Sequence, residues 1–143
     1  MKAKLVCSLN IALGFLALGT TTNRAQSPDA VPTLKVNAID NSALEVPATD
    51  TGRVRINRIG ADNSADLVVF YSVSGTATNG TDYKVLRGTV TIPAGRGSAS
   101  IAVRPIDDTI AEPDETVTLT LSPDPSYIVG SPSSATVTIH SNE

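Results

Sequence analysis

The densest chemistry in the sequence lies in Ile106-Asp107-Asp108-Thr109-Ile110-Ala111-Glu112-Pro113-Asp114-Glu115. Five carboxylates fall within the nine residues from Asp107 to Glu115, with no Lys or Arg among them. Like charges crowded into one segment repel, and the repulsion costs stability unless a cation neutralises it. Ca²⁺ suits such a segment. It takes about six to eight hard oxygen ligands at roughly 2.3–2.6 Å, from carboxylates and backbone carbonyls. Asp107, Asp108, Glu112 and Glu115 offer carboxylate oxygens, and the Ile110 carbonyl can turn inward between them. The segment has no His or Cys, which argues against Zn²⁺ and copper. A hydrated acidic loop is the plain alternative, because charge runs are usually solvated surface.

Other chemistries find less support. His140 is the only histidine and falls just past the last apolar strand position, which reads as an exposed terminal residue. A Ser–His–Asp arrangement needs a base oriented by a buried partner. Paired carboxylates can hydrolyse glycosides, but sugar clefts use aromatic walls. This chain has three Tyr, two Phe and no Trp. Gly75–Gly80 is followed by no helix and no Lys placed directly after its last glycine, so it is a turn and not a phosphate loop. Asn79-Gly80-Thr81 matches a glycosylation acceptor but reads as a hairpin turn. No enzyme is expected, and no organic cofactor.

The elements that must position the carboxylates are short strands. Period-two alternation recurs over Thr33–Ala38, Arg53–Ile59, Leu67–Val73, Thr89–Ile92, Ala99–Val103, Thr116–Leu121 and Ala135–Ile139. β-branched residues fill these runs, and Gly, Pro, Asn and Asp separate them. No window carries a long amphipathic helix. About seven strands over a hundred residues predict an all-β fold, an immunoglobulin-like antiparallel β-sandwich. The acidic segment then joins two strands.

The N-terminus stands apart. Met1-Lys2-Ala3-Lys4 is basic, Leu5–Leu18 is largely apolar, and a polar stretch follows to Ala25. That order predicts a secretory signal peptide over residues 1–25, a leader over 26–32 and the domain over 33–143. The apolar run is shorter than the roughly 20 residues of a spanning helix. The only cysteine, Cys7, would leave with the signal. The exported chain would have no disulfide, so a bound metal is one candidate for tying its loops. Cleavage would take Lys+Arg from 11 to 8 against an unchanged Asp+Glu of 14, moving the net charge from −3 to −6. Such a domain disfavours nucleic acid and anionic membranes and favours cations.

Two elements together carry a family resemblance. One is Gly75-Thr76-Ala77-Thr78-Asn79-Gly80-Thr81-Asp82-Tyr83, and the other is Asp107-Asp108 with Glu112-Pro113-Asp114-Glu115. With Ala43-Leu44-Glu45 and Gly52-Arg53-Val54-Arg55-Ile56 upstream, the order resembles the Calx-β domains of sodium–calcium exchangers, an integrin β subunit and bacterial surface proteins. The resemblance covers roughly Thr33 to Ile139. It implies Ca²⁺ at one end of the sandwich, held by Glu45, Asp82, Asp107, Asp108, the Ile110 carbonyl, Glu112 and Glu115. Tyr83 would pack and not ligate. The family's run of aspartates after the last strand is replaced here by His140-Ser141-Asn142-Glu143. Asn142 and Glu143 are weaker candidate ligands, and the smaller charge implies one or two weaker sites.

The resemblance implies an extracellular Ca²⁺-binding structural or interaction module, exported by its signal, acting in cell-surface contact or adhesion with a protein or surface ligand. No membrane insertion is expected after cleavage. A Calx-β-like interaction domain with little Ca²⁺ affinity is the alternative, and a carbohydrate-binding sandwich is the third. N-terminal sequencing of the exported protein should find a start near Gln26 or Thr20. An intact Met1 on a soluble cytosolic product would overturn the export reading.

Overall fold

Alternating apolar residues form a strand only if a second layer covers their common face. The structure, a computed structural model, describes residues 30–46 and 50–141. The expected signal peptide, residues 26–29 of the leader, and Asn142 and Glu143 lie outside the described residues. The strands are β1 (Thr33–Asp40), β2 (Ser42–Leu44), β3 (Gly52–Ile59), β4 (Leu67–Ser74), β5 (Thr89–Ile92), β6 (Ser98–Val103), β7 (Glu115–Leu121), β8 (Ile128–Val129) and β9 (Ser134–His140). They make two sheets, ordered β6-β3-β1-β8 and β2-β9-β7-β4-β5. Among the described residues there is no helix.

The alternation decides which residues meet between the sheets. Leu34 and Val36 of β1, Val54 and Ile56 of β3, and Ile101 and Val103 of β6 are buried from one side. Val69 and Tyr71 of β4, Val117 and Leu119 of β7, and Val137 and Ile139 of β9 are buried from the other. Burying a Val, Leu or Ile side chain stabilises by roughly 1.5–3 kcal/mol, so a core poor in aromatics suffices. Val68 and Phe70, on the opposite parity of β4, stay exposed.

Nine strands replace the expected seven. All seven period-two runs are strands, and β2 and β8 are additional. At three and two residues they are too short to show a period. Each is fixed by a distant partner, and both pairings are parallel within an otherwise antiparallel sandwich: β2 on β9 and β8 on β1. The first strand in effect splits between the sheets. The β1–β3 register shifts between Ala38 and Asp40. Asn41 then hands the chain across, its carbonyl accepting the Thr138 N–H at 2.9 Å.

The Asn79-Gly80-Thr81 turn is not a tight hairpin. It sits inside the long connection between β4 and β5, where Gly80 has φ 89° and its N–H donates to the Tyr83 carbonyl. The Asn79 side chain bonds both the N–H and the carbonyl of Leu86 at 3.0 Å, so its amide is structural.

The two ends of the sandwich differ. Inward parity along β3 runs Val54, Ile56, Arg58. At the far end the Arg58 guanidinium donates to the backbone carbonyls of Ala65, at 2.9 Å, and Asp62. Tyr127 ties the same end. Its hydroxyl donates to the Ser122 carbonyl at 2.7 Å and accepts from the Phe70 N–H at 3.1 Å. Tyr127→Phe removes both bonds and leaves a partly buried N–H unpaired. It should cost about 1–2 kcal/mol, measured by urea denaturation, and a loss near zero would show that water takes over the bonds.

Candidate metal centre

The near end is built by extending the core pattern one step too far. In β7 the inward positions are Val117, Leu119 and Leu121, and the same parity reaches back to Glu115. In β2 the inward residue is Ala43, and the same parity reaches forward to Glu45, only 4% exposed. Strand β9 aligns the two. Ala43 and Glu115 both stand opposite Ile139, and the Glu45 N–H donates to the His140 carbonyl at 3.2 Å. Two glutamates thus occupy positions that the alternation gives to apolar residues elsewhere.

Asp82 arrives on a loop sewn to β7 and to the acidic segment. The Thr76 hydroxyl accepts the Thr116 N–H at 2.9 Å, and the Thr116 hydroxyl accepts the Thr76 N–H at 3.2 Å. Gly75 permits this approach. A Cβ there would meet the Thr116 carbonyl oxygen at 2.0 Å, and its φ is 125°. On the other side the Ile106 N–H donates to the Asp82 carbonyl, and the Lys84 N–H to the Arg104 carbonyl, both at 2.9 Å. Tyr83 between them is 1% exposed and packs, as expected. One Asp82 oxygen, Oδ2, accepts the Thr78 N–H at 2.5 Å, which orients the carboxylate.

The result is a convergence of carboxylates from separate parts of the chain. One oxygen each from Asp82, Glu112 and Glu115 lie within 4.8 Å of one another. The Glu115 carboxyl thus lies in close contact with that of Asp82. Burial, that contact, and the charges of Asp82, Glu112 and Glu45 all raise the Glu115 pKa. The Glu45 pKa is raised by burial and by the charges of Asp108, Glu112 and Asp107, partly offset by a hydrogen bond from Ser141. Glu112 therefore faces both groups. Among the described residues, Oε2 of Glu45 and Oε2 of Glu115 are buried without a hydrogen-bond partner.

Of the expected set, Asp82, Glu112 and Glu115 bring oxygens within 4.8 Å of one another, while Asp107 and Asp108 act on Glu45 through their charges. Ile110 is 60% exposed, with its N–H donating to Asp108 Oδ1 at 2.7 Å in a local turn. Asp114 points away from the cluster, its Oδ2 2.8 Å from Nδ1 of His140. The histidine is half-exposed and held by that aspartate. The orienting roles of Thr78 and Ser141 were not read from the sequence. A backbone N–H and a serine after a strand carry no distinctive residue signal.

An immunoglobulin-like sandwich with convergent carboxylates at one end is a recognisable class of domain. The Calx-beta domain model matches residues 29–143, and the chain belongs to that family. Among solved structures, the Calx CBD1 domain in its apo form is 27% identical with a TM-score of 0.61, over 77% of this chain and 98% of that one. The calcium binding domain CBD12 of CALX1.1 is 28% identical with a TM-score of 0.59, over 74% of this chain and 44% of that one. The Calx CBD2 domain, at 15% identity and a TM-score of 0.54, shares the fold. Comparison with curated proteins gives no match.

The raised carboxyl groups give the cation-free protein a pH dependence of defined sign. Glu45 and Glu115 bind protons more tightly folded than unfolded, where the ordinary value is 4.5. Between 4.5 and their raised values the folded state holds more protons, so stability falls as pH rises through that window. In chelator, the urea midpoint should fall as pH is raised from 4.5 to neutrality. A flat midpoint would show that the two glutamates ionise freely, and a midpoint that climbs would show that the folded state holds fewer protons than the unfolded one. Asp62 and Asp124, whose pKa values are lowered below 3.8, act only in more acid solution.

Proposed function

We propose that this Calx-beta domain is a Ca²⁺-binding module in which Asp82, Glu112 and Glu115 hold one cation. Glu45, Asp107 and Asp108 extend the cluster through Glu112, with the Ile110 carbonyl as a further ligand. The observation that carries this reading is the convergence of Asp82, Glu112 and Glu115 oxygens within 4.8 Å beside a buried, unpartnered Glu115 Oε2. Two carboxylates in contact share either a proton or a cation, and a buried oxygen without a partner is costly. An all-oxygen, anionic donor set suits a hard cation. The bound ion would supply charge compensation and tie three loops and strand β7 at one end, which is a binding role and not catalysis.

The basic, apolar and polar order of residues 1–25 supports export, and with it a role outside the cell in surface contact or adhesion. An interaction domain of low Ca²⁺ affinity is the second reading. It draws on His140-Ser141 standing where relatives of this type carry aspartates.

A ligand that binds the native state alone stabilises it by RT ln(1 + [L]/Kd), about 2.7 kcal/mol at a hundredfold excess over Kd. Millimolar Ca²⁺ should raise Tm by several degrees. Mg²⁺ should raise it less, because it demands stricter geometry and keeps its waters. Equal shifts from both ions, matched by NaCl, would mean charge screening alone. In calorimetric titration, Asp82→Asn and Glu112→Gln should each weaken binding at least tenfold. Asp114→Asn should change it little, and so should Asp124→Asn, which lies in the turn beyond the far end of β7. Wild-type binding by Asp82→Asn would confine the site to the acidic loop and defeat the assignment across loops.

A further inference from the structure

The positive charge of this acidic domain is not spread evenly. Eight Lys and Arg follow residue 25, and five of them, Lys35, Arg53, Arg55, Lys84 and Arg104, gather on the outward side of the four-stranded sheet. Register places them there. Arg53 and Arg55 point outward from β3, alternating with buried Val54 and Ile56. Lys35 of β1 stands opposite Asn57, diagonal to Arg55. Arg104 continues the outward parity of Ser100 and Ala102 past the end of β6, and its carbonyl accepts the Lys84 N–H at 2.9 Å. Outward neighbours along a strand are roughly 7 Å apart, and diagonal neighbours about 7–8 Å. The five cations therefore form one stripe running obliquely across the sheet.

Like charges so placed repel one another, and no carboxylate is interleaved to relieve them. Among the described residues the only ion pair is that of His140 with Asp114. Asp40 stands opposite Arg53, but its Oδ1 accepts the Ser42 N–H. The strands of the other sheet contain no Lys or Arg. A cavity of about 330 Å³ opens beside Arg53, lined also by Ile39, Asp40, Asp50 and Thr51. That is the lower end of the size range of ligand sites. Its two aspartates accept hydrogen bonds from hydroxyl groups, and Arg53 donates a planar fork that matches a carboxylate. Asn37, Asn57, Ser98 and Ser100 lie between and beside the cations and are neutral hydrogen-bonding groups. Strands β1, β3 and β6 contain no aromatic residue on which a nucleic-acid base could stack.

We propose that this stripe binds a linear polysaccharide carrying carboxylate groups, a polyuronate, with one sugar ring seated in the cavity beside Arg53. The acid groups of the polymer meet the Arg and Lys side chains, and its hydroxyls meet Asp40, Asp50 and the neutral groups along the stripe. A polymer that alternates carboxylates with hydroxyls complements both sets of groups at once. Charge takes the place of the aromatic wall that other sugar sites use. The stripe employs no side chain of the carboxylate cluster, so the proposal stands whether or not the domain binds Ca²⁺.

The test is isothermal titration calorimetry of the purified protein with oligogalacturonate, in chelator so that no Ca²⁺ bridges the carboxylates of sugar and protein. Binding is expected, and it should weaken as salt screens the charges. Arg53→Gln and Arg55→Gln should each weaken it at least fivefold. Arg87→Gln removes the same charge from the 75–88 connection and should weaken it less than twofold. These three arginines are exposed, so Tm should not change. Asp40→Ala separates sugar recognition from charge alone. It should weaken binding, whereas a pure field effect would tighten it. No binding, binding indifferent to salt, an equal loss in Arg87→Gln, or tighter binding by Asp40→Ala overturns the proposal. So does equal affinity for polyphosphate or for phosphatidylserine vesicles, which would make the face a general anion or membrane surface.

Discussion

Charge repulsion among inward-facing carboxylates is the constraint around which one end of this domain is organised. Glu45 and Glu115 are placed by the same alternation that buries the core, Glu115 opening β7 and Glu45 directly following β2. A strand slipped by one residue would send every core side chain to solvent. The sheets therefore hold the glutamates in place against their mutual repulsion. The loops bearing Asp82 and Asp107–Glu112 add to that repulsion while being stitched to the same strands by backbone bonds. The bonds between Thr76 and Thr116 and the close approach at Gly75 make the arrangement rigid.

The opposite end solves a similar problem with a built-in cation. Arg58 occupies an inward position beyond the apolar core, just as Glu45 and Glu115 do, and its guanidinium gathers the carbonyls of the 60–66 loop. A guanidinium tethered to β3 is present whenever the chain is folded. Among the described residues, the carboxylate end has no such tethered cation beside the buried oxygens of Glu45 and Glu115.

Most of the fold was legible because period two survives in single strands of four residues or more. Thr116-Val117-Thr118-Leu119 and Ala135-Thr136-Val137 could be read only one way. Strands β2 and β8 were not legible, since Ser42-Ala43-Leu44 and Ile128-Val129 are strands by virtue of distant partners. The acidic segment announced itself by charge density. Asp82 did not: nothing in the spacing of residues 82 and 112 says that they meet, and only the family resemblance linked them. Arg58 could have been found by parity, since Val54 and Ile56 are inward and Arg58 is next. A charged residue at such a position reads as surface until the loop that receives it is seen. Asn79-Gly80 suggested a hairpin because the dipeptide favours one. The 75–88 connection instead folds back on itself to reach Arg104 and Ile106.

The parallel pairing of β2 with β9 bears on how the domain would carry tension. Strand β1 starts at the Arg58 end, beside Ile59, while β9 finishes at the carboxylate end beside Glu45. The two ends of the folded chain leave from opposite poles. A pull between them drags β2 and β9 in opposite directions along their common axis. The Ser42–Thr138, Ala43–Ile139 and Leu44–His140 contacts are then loaded in shear, all at once, and do not peel one at a time. Glu45 sits at the end of that clamp, so a cation held in the carboxylate cluster would brace those three contacts against shear.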